Sequence, residues 1–318
     1  MELSLNNLLI FLAINSFSLS SLSCESQKQN SDTEQVADLT YEPTVEKPTY
    51  TNAHPEVLFD EAHNNFHTSS GRYKPFADLI SSDGYRFTPN KSKFSKKIFE
   101  GYDILVISNA MGGTTEDDPD SVLARPAFTE DEADAVRDWV QGGGSLLLIA
   151  DHAPVGAAAQ ILAKRFGVEM SNVYTYDKVH ADSLHGKYNI AFTRENKLLA
   201  DHPITRGRTA DEQVNKVVTF VGQSLKGPQD SLPLLLLSNT AMDFTRTRGD
   251  SPVSAAGRSQ AIALKLGEGR VIVLGEAAML TAQESLRDGK VARFGMSYEG
   301  CDNRQFALNV MHWLSKLI

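Results

Sequence analysis

Four short apolar runs limit what this chain can fold into: Val57–Phe59 (VLF), Asp103–Ser108 (DILVIS), Ser145–Ala150 (SLLLIA) and Val271–Leu274 (VIVL). Each is too short for a buried helix and apolar on both faces, as a strand covered on both sides of a parallel sheet must be. Segments with helical spacing lie between them. Tyr73, Phe76, Leu79 and Ile80 fall on one helix face, which Asp83-Gly84 terminates. Thr129-Glu130-Asp131-Glu132 is a capping box opening a helix with Ala133, Val136 and Val140 inward, and Gly142-Gly143-Gly144 ends it. Further helices are expected over Ala157–Phe166 and over Gln305–Leu317, the latter with Phe306, Val310, Trp313 and Leu314 as its stripe.

Alternating strand and helix predicts an α/β fold with a flavodoxin-like, doubly wound, mostly parallel sheet. Tyr85–Thr88 reads as a short second strand, and Lys216–Val221, Leu234–Leu237 and Ala261–Leu266 as later ones. Gly267-Glu268-Gly269 links the last of these to Val271–Leu274, so the sheet is expected to gain an antiparallel edge through a hairpin. Residues 168–210 carry mixed signals and read as an irregular insertion over the sheet. The expectation is one domain over residues 54–318, a size single α/β domains reach. A formal charge of -9, from 31 Lys+Arg against 40 Asp+Glu, leaves no basic stripe for nucleic acid.

The first 24 residues read as a secretory signal. Leu8–Phe17 (LLIFLAINSF) is too short to span a bilayer but fits an apolar h-region. The following SLSC resembles a bacterial lipoprotein cleavage box ending in Cys24, departing from it at Ser21 and in an n-region that carries Glu2 and no Lys or Arg. A non-lipidated signal or a misplaced start codon are the alternatives. Lipidation of Cys24 would leave Cys301 without an intramolecular partner. Residues 25–53 are polar and Pro-punctuated and read as a disordered linker. The expected location is therefore the cell envelope, by a lipid anchor, or else the periplasm or exterior.

Polar residues gather where the strands end. Asp60, Glu61, His63, Asn64 and His67 follow the first strand; Asn109 and Gly112 follow the third; Asp151-His152 follows the fourth; Glu276 follows VIVL. In open parallel sheets ligands bind beyond the strand carboxyl ends. Buried charges there must pair with one another, with water, or with a ligand. The expectation is a pocket holding Asp60, Glu61, His63, Asp151, His152 and Glu276. Asp151, His152, Glu61 and Glu276 are the catalytic candidates; Asp60, His63, Asn64, His67, Asn109 and Gly112 are the substrate-binding candidates. Asp60, His63, His67, Asp151 and His152 would also suit zinc or another divalent cation. The plainer reading makes Asp60 and Asn64 loop-tying residues. Phe66, Tyr174 and Tyr176 are aromatic candidates for stacking on a sugar.

VLFDEAHNNFH, YDILVISNA, GGGSLLLIADHAPVG, DHPITRG, GRVIVLGEAAML and DNRQFALNVMHWL together resemble the class I glutamine amidotransferase-like superfamily, in its DUF4350-type and ThuA-like branches. The resemblance spans most of residues 56–317. It implies a sharp strand-to-helix turn where amidotransferases carry their nucleophilic Cys; this chain has Ala150-Asp151-His152-Ala153-Pro154, which excludes glutaminase chemistry there. It also implies an exported protein acting on a small molecule or carbohydrate as a hydrolase. The alternative is a non-catalytic ligand-binding or scaffold module of an envelope complex.

Overall fold

The computed structural model describes residues 34–115, 119–182, 188–287 and 289–318. Six strands form the centre of the main sheet: β1 (Glu56–Asp60), β2 (Arg86–Asn90), β3 (Ile104–Ser108), β4 (Ser145–Ile149), β5 (Ser259–Leu266) and β6 (Gly269–Leu274). Their order is β2-β1-β3-β4-β6-β5. Every pairing from β2 to β6 is parallel, and β6 with β5 is antiparallel. The expected hairpin turns through Gly267, whose φ of 57° lies in the left-handed region where glycine is unstrained. Beyond β5 the sheet continues antiparallel through Leu225–Lys226 and Glu169–Met170, and Leu232–Leu236 also pairs with β5.

Strand parity sorts the core. Val57, Phe59, Val106, Leu147, Ile149, Ile272 and Leu274 face one side, where α1 (Lys74–Ser82) and the C-terminal helix Asn303–Leu314 pack. Leu58, Leu105, Ile107, Leu146, Leu148, Val271 and Val273 face the other, against α2 (Glu130–Gln141) and α3 (Val155–Lys164). The capping box forms as expected, Thr129 Oγ1 accepting from the Glu132 amide at 3.2 Å and Glu132 Oε2 from the Thr129 amide at 3.0 Å.

The irregular region resolves into small antiparallel units. Tyr174–Tyr176 pairs with Met242–Phe244, and Lys216–Phe220 forms a ribbon with Asn189–Thr193 instead of entering the main sheet.

The linker expectation for residues 25–53 needs correction over 34–53. Val36–Ala37 pairs antiparallel with the strand Ala282–Arg287, Asp38 is buried, and Tyr41, Val45 and Tyr50 pack on the core. These apolar side chains follow no period, so they occupy recesses formed elsewhere in the fold and leave no signature of a regular element. Leu8–Phe17 and Cys24 lie outside the described residues. Among the described residues no helix is long and apolar enough to cross a membrane.

Candidate functional site

Asn109 ties the strand ends together. It adopts a φ of 47°, a conformation Asn tolerates better than most residues. Its amide donates to the Ile149 carbonyl at 3.0 Å, its carbonyl accepts from Phe66 at 2.9 Å, and its Oδ1 accepts from the Asp151 amide at 3.0 Å. Gln223 secures the same turn from behind, its Nε2 donating to the Ala150 and Asp151 carbonyls at 2.9 and 2.8 Å.

Asp151 Oδ1 accepts from the His152 amide at 2.8 Å, and His152 Nδ1 lies 2.8 Å from the Ala153 carbonyl. A carbonyl only accepts, so Nδ1 carries the hydrogen and the neutral ring keeps its lone pair on Nε2. Tyr174 stacks on this imidazole with centroids 4.3 Å apart, and Arg246 lies over the Tyr174 ring at 4.2 Å.

These residues border a cavity of about 310 Å³ lined by His67, Arg72, Asn109, Asp151, His152 and Glu276, with Phe66 in its wall. Glu276 is fully buried and its two oxygens accept from the Ala278 and Met279 amides at 2.7 and 2.8 Å. Burial, and then the negative charge of Asp151, push its carboxyl up to about 8. Burial likewise raises Asp151, against the lowering influence of His152 and Asn109. His67 is buried with Nδ1 3.0 Å from Ser108 Oγ; burial and the neighbouring Arg72 hold it down at about 3, so it is neutral near pH 7. Arg72 lies 4.4 Å over the Phe66 ring and pairs with Glu34.

Asp60, His63 and Glu132 form a separate buried cluster. His63 Nδ1 lies 2.9 Å from both Asp60 oxygens and Nε2 lies 3.0 Å from Glu132 Oε1, with Phe94 and Phe128 at 4.5 and 4.7 Å. Ionised carboxylates only accept, so this arrangement asks the ring to donate at both nitrogens as an imidazolium. Burial alone would raise Glu132, but its bonds from His63 and Thr129 outweigh it and hold the carboxyl down at about 2.

The expectation of one six-residue pocket is therefore corrected. Asp151, His152 and Glu276 converge, joined by His67 and Asn109, while Asp60, Glu61, His63, Asn64 and Gly112 lie elsewhere. Strand parity is the reason: Asp60 shares the face of Leu58, toward α2, whereas Asp151 and Glu276 continue the face of Ile149 and Leu274. Glu61 ties its own loop, accepting from the Ser69 amide and hydroxyl at 2.7 and 2.6 Å and pairing with Lys91. Exposed Asn64 reaches the Met111 carbonyl at 3.4 Å. Gly112 permits close packing, since a Cβ there would lie 2.4 Å from the Arg125 carbonyl. Among the described residues, no three His, Cys, Asp or Glu side chains are arranged to hold a metal.

Arg72 and Gln283 also line the cavity and carry no motif that marks them. Glu132 is visible in the sequence only as half of a capping box. Burial pushes the Cys301 thiol up to about 11, which keeps it protonated and non-nucleophilic at neutral pH. His202 caps the short helix Pro203–Arg206, and His312 pairs with buried Asp83 at 2.7 Å. His185 lies outside the described residues.

No family model matches the chain, and no curated protein sequence does. Solved structures do. The mmIFT52 N-terminal domain aligns with a TM-score of 0.57 at 14% identity, covering 81% of this chain and 97% of that one. A protein described as ThuA-like from Bacteroides uniformis ATCC 8492 aligns with a TM-score of 0.43 at 12% identity, covering 85% and 93%. One described as a GMP synthase subunit from Thermoplasma acidophilum gives 0.43 at 12%, covering 84% and 97%. Likeness at such identity is a likeness of fold, and the fold is mixed α/β with a large, mostly parallel sheet and smaller antiparallel ones.

Proposed function

We propose that this chain is a flavodoxin-like domain of the ThuA-like kind that binds a small polar molecule, a carbohydrate among the candidates, and performs hydrolase-type acid–base chemistry on it. Its five parallel strands, taken in chain order, lie 2-1-3-4-5, the flavodoxin-like arrangement with its switch point between the first and third. The observation that carries the proposal is the meeting of Asp151, His152 and Glu276 in one cavity at the carboxyl edge. Perturbed carboxylates beside an available imidazole are the equipment of proton transfer. In this reading His152 Nε2 takes a proton from water, the Asp151–Glu276 pair supplies one to the leaving group, and Arg72 faces the charge that develops.

Ligand binding without turnover is the second reading. It is favoured by Glu276, whose two oxygens are both engaged by backbone amides. A panel of chromogenic glycosides and esters separates the two. His152→Ala should lower any turnover by ~100-fold with an unchanged melting curve. Absence of turnover across the panel, with saturable binding intact, would leave only the binding module.

Export and lipidation at Cys24 belong to the same proposal. Mass spectrometry of the mature N-terminus decides them, and an intact Leu8–Phe17 segment on soluble cytoplasmic protein would refute them.

A further inference from the structure

Tyr174 meets His152 in two ways. Its ring stacks on the imidazole with centroids 4.3 Å apart and planes inclined by 26°. Its hydroxyl donates to the Ala153 carbonyl at 3.3 Å, the same oxygen that lies 2.8 Å from His152 Nδ1. A carbonyl oxygen has two lone pairs and serves both donors. Burial raises the Tyr174 hydroxyl above its ordinary value, so it keeps its proton at neutral pH. Arg246 lies over the same ring, 4.2 Å from its centroid, and two groups so close to one centroid take its opposite faces. Tyr174 therefore offers a ligand no free face.

The strand that carries Tyr174 is itself firmly held. Tyr174–Tyr176 pairs with Met242–Phe244, and the Thr175 amide donates to the Gly222 carbonyl at 2.8 Å. Thr175 Oγ1 and Ser224 Oγ donate to the two oxygens of buried Asp243, each at 2.6 Å. Gln223, between Gly222 and Ser224, holds the Asp151 turn, so the stacking ring and the turn share one support. His152 Nε2, by contrast, has no hydrogen-bond partner among the described residues and is not sealed away from solvent. A rigid support around one ring, with a single nitrogen left open, is how a reactive side chain is held in one geometry.

We propose that Tyr174 is a positioning residue for His152: its ring and hydroxyl keep the imidazole in the Nδ1–H form, with the Nε2 lone pair open to the cavity. The inference rests on the reading of His152 as the base of this site and adds the group that orients it. An imidazole free in water prefers to carry its hydrogen on Nε2. That form would set a lone pair against the Ala153 oxygen and leave no base for the cavity. A tyrosine that only fills space would be replaceable by leucine with no effect on the imidazole.

Nitrogen-15 NMR of the histidine rings at about pH 9, where an ordinary imidazole is neutral, tests it with no ligand present. Assigned by comparison with His152→Ala, the His152 ring should show the Nδ1–H form as its major one. Tyr174→Leu should move it most of the way to Nε2–H, and Tyr174→Phe, which keeps the stack, should restore most of the wild-type signature. If Tyr174→Leu does not fold, Arg246→Ala, a change at an exposed side chain, carries the test with a shift in the same direction. On any chromogenic substrate that is turned over, Tyr174→Leu should lower kcat about tenfold with KM within about twofold, and Tyr174→Phe should recover most of the loss. An Nε2–H form in the wild type would overturn the positioning role. So would a His152 spectrum, or a kcat, that is unchanged in whichever of the two variants folds. The spectra decide this even where nothing in the panel is turned over, so failure of the acid–base reading shows separately.

Discussion

Glu276 and His67 lie in one cavity and respond to pH in opposite senses. Glu276 titrates at about 8 in the folded protein against an ordinary 4.5, so between these values the folded state holds a proton the unfolded chain has lost. Its contribution is full below about 4.5 and disappears as pH rises through 8. His67, held at about 3 against 6.5, stays neutral where the unfolded chain would protonate. Its contribution disappears as pH falls from 6.5 toward 3. Replacing Glu276 by Gln removes the first of these titrations and keeps a polar side chain of the same shape. We expect thermal melts of Glu276→Gln to lose less stability than wild type between about pH 5 and pH 9. Parallel curves for the two proteins would show that Glu276 is ionised when folded.

Helix α2 is joined to β1 through polar contacts in an apolar layer. Thr129 caps the helix, Glu132 completes the box, and the same Glu132 carboxylate meets His63, which is held by Asp60 at the end of β1. Loss of the cap alone, in Thr129→Ala, should cost ~1 kcal/mol, with Thr129→Ser close to wild type. His63→Ala is expected to cost ~3–5 kcal/mol, because it leaves two buried carboxylates without their counter-ion. Urea denaturation midpoints at constant slope measure both. A loss below about 1 kcal/mol for His63→Ala would mean that water or local rearrangement relieves the two carboxylates.

On the scale of the whole molecule, residues 34–53 act as a strap. The Tyr50 and Thr49 amides bond to Asp83, Tyr50 packs edge-on to Tyr85 at 5.0 Å, and Val36–Ala37 borders the strand that carries Gln283. A protein beginning at His54 should lose ~3 kcal/mol or more from uncovered apolar surface alone, and its melting temperature should fall accordingly. Unchanged stability would return the segment to the status of a tether.

Apolar runs, helical spacing and a capping box act between near neighbours in the chain, so the sequence by itself determined the parallel strands, the helices between them and the antiparallel hairpin at Gly267. It also located the edge where Asp151, His152 and Glu276 emerge, because a strand's polar end is a local feature. Tertiary structure decided which of these residues meet. The side of the sheet on which Asp60 and Asp151 emerge depends on strand parity after the sheet is assembled, and a one-residue difference in phase sends them to opposite faces. Arg72, Gln283 and the strap at residues 34–53 were equally out of reach. Their roles come from contacts far apart in sequence, such as Ala37 beside Gln283 and Tyr50 beside Tyr85, for which no local period exists.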